Sequence, residues 1–268
     1  MRSVRRISAV VLRQLFLMRG SVARLIPIFI WVLLDMVLWG FLSHYLAGVA
    51  QAGFSFVPTF LGAVLLWDFC QRMMHGVTMA FFEDVWARNF LNMFASPLRV
   101  GEYLAAQVIT SILTSALALT AMLALASGVF GLNLMVYGFA ILPFLFILFL
   151  FGIAIGIVGC TVVLRFGPAA EWLVWPIPAI ISPFACVFYP MRVLPGWMQA
   201  IARAIPPSYV FENIRNIMHG VAASPSDLWI GIGLGWLYIA GACWLFLRVY
   251  RRAVRSGLIA RYSAETVS

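Results

Sequence analysis

Lysine is absent from this 268-residue chain, so all 18 of its basic residues are arginine. That excludes a phosphate-binding loop of the G-x-x-x-x-G-K-[ST] type, whose lysine reaches the nucleotide phosphates. If ATP drives this protein, another polypeptide binds it. Charged residues are also scarce: they make up 10% of the chain against 64% hydrophobic, with a mean hydropathy of +1.01. Such values lie far outside those of soluble domains. They leave no room for a sizeable soluble domain and predict one polytopic membrane domain over residues 1–268.

Catalytic signatures are missing too. There is no H-E-x-x-H and no G-x-S-x-G, and His44, His75 and His219 are dispersed, so neither a catalytic centre nor a metal site is expected. Cys70, Cys160, Cys186 and Cys243 sit singly in apolar stretches without C-x-x-C spacing and read as small core residues. The formal charge of +9 does not point to nucleic acid, because most of the arginines flank apolar runs, where they set membrane orientation. The N-terminus resembles a signal peptide in having arginines before an apolar run. That run extends from Leu25 to Leu46 and contains Asp35, so an uncleaved first span is expected.

About six membrane helices are predicted, over Leu25 to Leu46, Val57 to Phe81, Val100 to Ser127, Val136 to Leu164, Glu171 to Tyr189 and Leu228 to Val249. Alternating these spans puts Arg2, Arg5, Arg6, Arg13, Arg19, Arg24, Arg88, Arg99, Arg165, Arg248, Arg251, Arg252, Arg255 and Arg261 on one side. Arg192, Arg203 and Arg215 fall on the other, which predicts that both termini are cytoplasmic. Residues 1–24 interleave Val10, Val11, Leu12, Leu15 and Phe16 with Arg13 and Arg19, as in a helix lying in the membrane interface with snorkelling arginines. Gly152, Gly156 and Gly159, with Gly231 and Gly235, give small-residue spacings that favour close helix packing, within the chain or between copies.

The segment 82–97 is the most informative. Phe82, Val85, Trp86, Phe90, Met93 and Phe94 recur at helical spacing as one apolar stripe, while Glu83, Asp84, Arg88 and Asn92 lie elsewhere on the surface. This predicts an amphipathic cytoplasmic helix, opened by two acidic residues at the positive end of its dipole and stopped by Pro97. Asp35, Asp68, Arg72 and His75 are ionisable groups on the first two spans, costly in lipid unless they face protein or water. Asp68 and Arg72 are four apart and can pair, with His75 a turn beyond; an internal ion pair is the plainer reading and a proton relay the sharper one. Trp67 is one of several aromatics that could line a path for an amphipathic substrate. Between the fifth and sixth spans, Pro190, Pro195, Pro206 and Pro207 divide residues 190–220 into pieces such as Gly196 to Ile205 and Ser208 to His219. Each is too short to cross about 30 Å of hydrocarbon, with Ser208 placed as an N-cap and Glu212 one turn on.

Taken together, these parts resemble the permease subunit of ABC-2 type transporters. The resemblance covers nearly the whole chain. It is carried by the N-terminal arm, by Glu83-Asp84-Val85-Trp86-Ala87-Arg88-Asn89 followed by Ala95-Ser96-Pro97-Leu98-Arg99, and by Tyr189-Pro190, Leu194-Pro195-Gly196-Trp197 and Ile205-Pro206-Pro207-Ser208-Tyr209 with Glu212 and Arg215. It implies an all-α membrane protein of about six spans with a cytoplasmic coupling helix and short outer re-entrant helices. In that family the coupling helix seats in a separate ATPase subunit, here through Glu83, Asp84, Trp86, Arg88, Phe90 and Phe94. Pro195, Trp197, Pro206, Pro207, Tyr209, Glu212 and Arg215 would belong to the outer gate. The implied protein is an exporter subunit of the bacterial inner membrane, forming a homodimer with a second permease copy, surrounded by lipid, with ATP and Mg in the partner ATPase and no cofactor of its own. The alternative is a secondary transporter or channel driven by an ion gradient, which calls for ionisable residues on several spans and internal inverted repeats. A membrane-embedded enzyme needs a convergent set of catalytic side chains, which these residues do not assemble.

Overall fold

The computed structural model describes residues 2–49, 60–86, 97–132 and 134–256, and all regular structure among them is helical. Helix α1 (Arg2–Arg19) ends at Gly20-Ser21, where the Gly20 amide still donates to the Phe16 carbonyl at 3.0 Å before the chain turns into α2 (Val22–Val49). Helix α3 spans Gly62–Trp86, and α4 spans Val100–Phe130. The start of α4 is fixed by Glu102, whose carboxylate accepts from the Arg99 amide at 2.9 Å. Its end is fixed by Gly131 in the left-handed region (φ 67°), which lets the Leu132 amide reach back to the Ala126 carbonyl. A 3₁₀ stretch, Leu134–Ala140, leads into α5 (Ile141–Phe166). After short pieces come α6 (Ile177–Ile181), α7 (Gly196–Ala204), α8 (Pro206–Met218) and α9 (Pro225–Arg255).

Three helical stretches are long and apolar enough to cross a membrane: Val100–Phe130, Tyr137–Phe166 and Pro225–Arg255. They match the third, fourth and sixth predicted runs, and they make this a helical membrane protein in architecture. The first run is continuous helix in α2. The second run is α3, which is surrounded by protein for most of its length; a helix so placed can carry Asp68, Arg72, Glu83 and Asp84 without exposing them to lipid.

The fifth run departs from expectation. Residues 171–189 do not form one helix but a 3₁₀ turn (Pro168–Leu173), the five-residue α6, and turns and bends up to Tyr189. Pro176, Pro178 and Pro183 explain the break, since each removes an amide donor and its ring collides with the preceding turn. Hydropathy saw only the apolar side chains. The expected pieces after Pro195 and Pro206 do form, as α7 and α8. Ser208, however, is not an N-cap: Pro206 and Pro207 occupy the first helical positions, and the Ser208 hydroxyl bonds the Ala202 and Ile205 carbonyls at 2.6 and 2.7 Å.

The core is a layered packing in which α9 lies along α5, α5 along α3, and α3 against α4, with α1 and α2 on the outer flanks of α4. The glycine spacings are used within the chain. A Cβ on Gly152 would come within 2.5 Å of the Cys70 carbonyl, and one on Gly156 within 2.9 Å of Val77 Cβ, so α5 meets α3 at near backbone contact. Gly231 and Gly235 admit Ile147 and Leu150 of α5 against α9 in the same manner. We expect Gly152→Val to lower the melting temperature of the detergent-solubilised protein, corresponding to about 1–3 kcal/mol of overpacking. Gly233→Val, whose Cβ meets nothing within 4 Å, should leave it unchanged. Equal melting temperatures for the two variants would contradict the close seam.

Candidate functional site

The predicted coupling segment begins inside α3. Residues 82–86 continue that helix rather than open a separate one. Asp84, carried into the bundle by α3, needs partners there. Asp84 is buried, at 2% exposure, and not on a wet face. Its Oδ1 accepts from Arg13 Nη2 of α1, and its Oδ2 accepts from the Tyr103 hydroxyl of α4 at 2.8 Å. Gln14 is wholly buried beside them, and the amide orientation that satisfies both neighbours has its nitrogen donating to Glu83 Oε2 (3.2 Å) and its oxygen accepting from Arg13 (3.3 Å). Phe82 is buried, whereas Trp86 is half exposed and donates its indole N–H to Glu171 Oε2 at 2.8 Å. Arg88, Phe90 and Phe94 lie outside the described residues.

A second carboxylate works in parallel. Glu102 accepts from the Ser3 hydroxyl and from Arg6 Nη1 at 3.4 Å, besides capping its own helix. The C-terminal half of α9 reaches the same end of the bundle, where Phe246 meets Phe81 edge-on at 6.3 Å and stacks on Tyr250. One end of the molecule thus gathers α1, the end of α3, the start of α4, the turn after α5 and the end of α9. Its ties are ionic and aromatic.

Along α3 the expected Asp68–Arg72 pair forms, with Arg72 Nε 2.6 Å from Asp68 Oδ2 and both side chains largely buried. Asp35 of α2 lies within electrostatic reach of both. His75 stands apart from them in its ring contact, packing 5.2 Å from Trp175. Trp67 is buried and packs edge-on against Phe211 at 6.2 Å. Among the described residues no group of His, Cys, Asp and Glu is placed to hold a metal ion.

The opposite end carries the residues read as a gate. Pro195 caps α7, and Trp197 stands 64% exposed with its ring edge toward Phe184. Pro206 and Pro207 are buried at the start of α8. Tyr209 donates to the Arg203 carbonyl at 2.7 Å; burial pushes its phenol pKa up, Asp227 adds to the rise and Arg203 opposes it, so the hydroxyl remains a donor. Glu212 Oε1 accepts from the Met191 amide at 2.6 Å and from Arg215 Nη2 at 2.9 Å, and Arg215 also reaches the Val187 carbonyl at 3.4 Å. These bonds fasten α8 to the bends at 187–191. The contacts that sequence reasoning missed are Arg13 and Tyr103 on Asp84, and Asn213 accepting from the Ser224 amide at 2.7 Å. Arg13 interrupting the apolar face of α1 next to Gln14 was the available signal for the first.

We expect Tyr103→Phe and Asp84→Asn each to cost about 1.5–3 kcal/mol, the range for losing a charge-assisted hydrogen bond. Thermal unfolding in detergent measures both, and in an Arg13→Gln/Asp84→Asn double-mutant cycle the two losses should not add. Additive losses would show that the pair does not interact. No protein-family model matches this chain, and no curated protein sequence matches it.

Proposed function

We propose that this chain is the transmembrane permease subunit of an ABC-2 type exporter, two copies of which form the path while separate ATPase chains bind ATP and Mg. The observation that supports this reading is the continuity of α3 into residues 82–86 of the predicted coupling segment, where Asp84 ties it to α1 and α4. A push delivered by a partner just beyond Trp86 would reach three helices together rather than fray one end. The absence of lysine agrees, since such a chain needs a partner to bind nucleotide.

In this reading the tied end faces the cytoplasm of a bacterium, consistent with Arg5, Arg6, Arg13, Arg99, Arg165, Arg248, Arg251, Arg252 and Arg255 gathering there. Helix α1 packs on α4 through Val10 and Val11 and exposes Val4, Leu12 and Phe16, which suits a place in the membrane interface. Helices α7 and α8 would form the outer re-entrant pair. The cargo would be amphipathic: lipid-like, glycan or drug. An ion-driven carrier or channel is the second reading, favoured by Asp35, Asp68 and Arg72 lying close together within the bundle.

The test is whether an ATPase bearing a P-loop lysine, encoded beside this chain, co-purifies with it. We expect that it does, and that Trp86→Ala and Phe90→Ala each weaken the association about tenfold or more and reduce transport-linked hydrolysis. Failure to co-purify, or unchanged association in both variants, would sink the proposal.

A further inference from the structure

At the end of the bundle away from Asp84, the bends at 187–192 pass between α8 and the start of α3 and enclose a pocket of about 480 Å³. That is within the size range of small-molecule sites, on the order of 300–1,000 Å³. Its two sides differ in chemistry. Phe60, Val187, Phe188 and Met218 supply an apolar side. That side is stiffened by aromatic stacking, Phe188 lying 5.8 Å from Phe60 and 5.0 Å from Trp39. The other side presents Arg192, Glu212, Arg215, Asn216 and His219.

The charges on that polar side do not cancel. Glu212 is held by Arg215 and by the Met191 amide, so its carboxylate is already satisfied within the wall. Arg192 has no hydrogen bond or ion pair to any described residue, and it stands exposed at the pocket. The Arg215 Nε is buried there without a hydrogen-bond partner. Two guanidiniums against one carboxylate leave a surplus of positive charge facing a dry aromatic wall. A guanidinium is the side chain best suited to phosphate oxygens, through paired N–H donors.

We infer that this pocket binds the headgroup of a phosphate-bearing amphiphile, with the anion on Arg192 and Arg215 and the first part of its apolar tail against Phe60, Phe188 and Met218. The site does not depend on an ATPase partner, so it stands or falls separately from the transport reading. The amphiphile is either a resident anionic membrane lipid or a diffusible molecule that enters from solution. Their shared chemistry is the phosphate on an apolar tail.

The test uses the full chain in phosphatidylcholine nanodiscs, titrated with dodecyl phosphate and followed by thermal shift and calorimetry. We expect saturable binding of dodecyl phosphate and much weaker binding of inorganic phosphate and of dodecyltrimethylammonium. Arg192→Gln should weaken dodecyl phosphate about tenfold, the loss of one charge-assisted hydrogen bond. Arg192→Glu should abolish the binding and Arg192→Lys should restore part of it. Arg192 is exposed and makes no internal bond, so these variants should fold, as their unliganded melting temperatures will report. Replacing part of the phosphatidylcholine by phosphatidylglycerol separates the sources: loss of the added ligand's binding identifies a resident lipid, and unchanged binding identifies a diffusible amphiphile. The inference is overturned if dodecyl phosphate does not saturate, if Arg192→Glu binds it as well as the native chain does, or if inorganic phosphate or the cationic amphiphile binds equally well.

Discussion

A single carboxylate organises one end of this molecule. Asp84 is buried on α3, and among the described residues the guanidinium of Arg13 and the hydroxyl of Tyr103 make that position tolerable. A buried ion stripped of its partners is costly, so α1 and α4 are held wherever α3 ends. Glu102 repeats the device between α1 and α4 through Ser3 and Arg6, and Trp86 extends it to the turn after α5 through Glu171. The ion pairs that join separate helices are at this end, whereas α5 is held to α3 and α9 by close packing at glycines.

This division has a mechanical consequence. The α3–α5–α9 seam is packed at near backbone distance and resists shear, because Gly152, Gly156, Gly231 and Gly235 leave no slack for neighbouring side chains to shift. Helix α1 is instead joined to α3 and α4 by a few directional bonds, while α3 and α4 also meet closely at Gly76 and Ser111. In the proposed exporter, a load applied beyond Trp86 would enter α3 and the seam directly and reach α1 and α4 through the bonds of Asp84. Rigid groups moving about a few connections are a common basis of alternating access.

Much of the fold was legible in the sequence because apolar runs and helix spacing report local free energies directly. Three spanning stretches, α2, α7 and α8 came from hydropathy and proline placement. The Asp68–Arg72 pair came from a spacing of four. Errors arose where local pattern and tertiary packing conflict. Residues 171–189 are apolar enough for a span, but three prolines within that run outweigh hydropathy. Asp84 looks like a surface residue in an amphipathic stripe because nothing local announces a partner 71 positions away on α1. The Phe211 ring against Trp67 likewise has no local signal, since it comes from α8. The pocket at Arg192 was invisible for the same reason, since its walls come from Phe60 just before α3, from α8 with His219, and from the segment between α6 and α7.

The central claim is that Asp84 fastens α1 to the end of α3. Hydrogen exchange of the intact protein in nanodiscs tests it most directly, comparing the native chain with Asp84→Asn. Loss of amide protection along α1, with the α5–α9 seam unchanged, is the predicted result. Equal protection of α1 in both proteins would contradict the account.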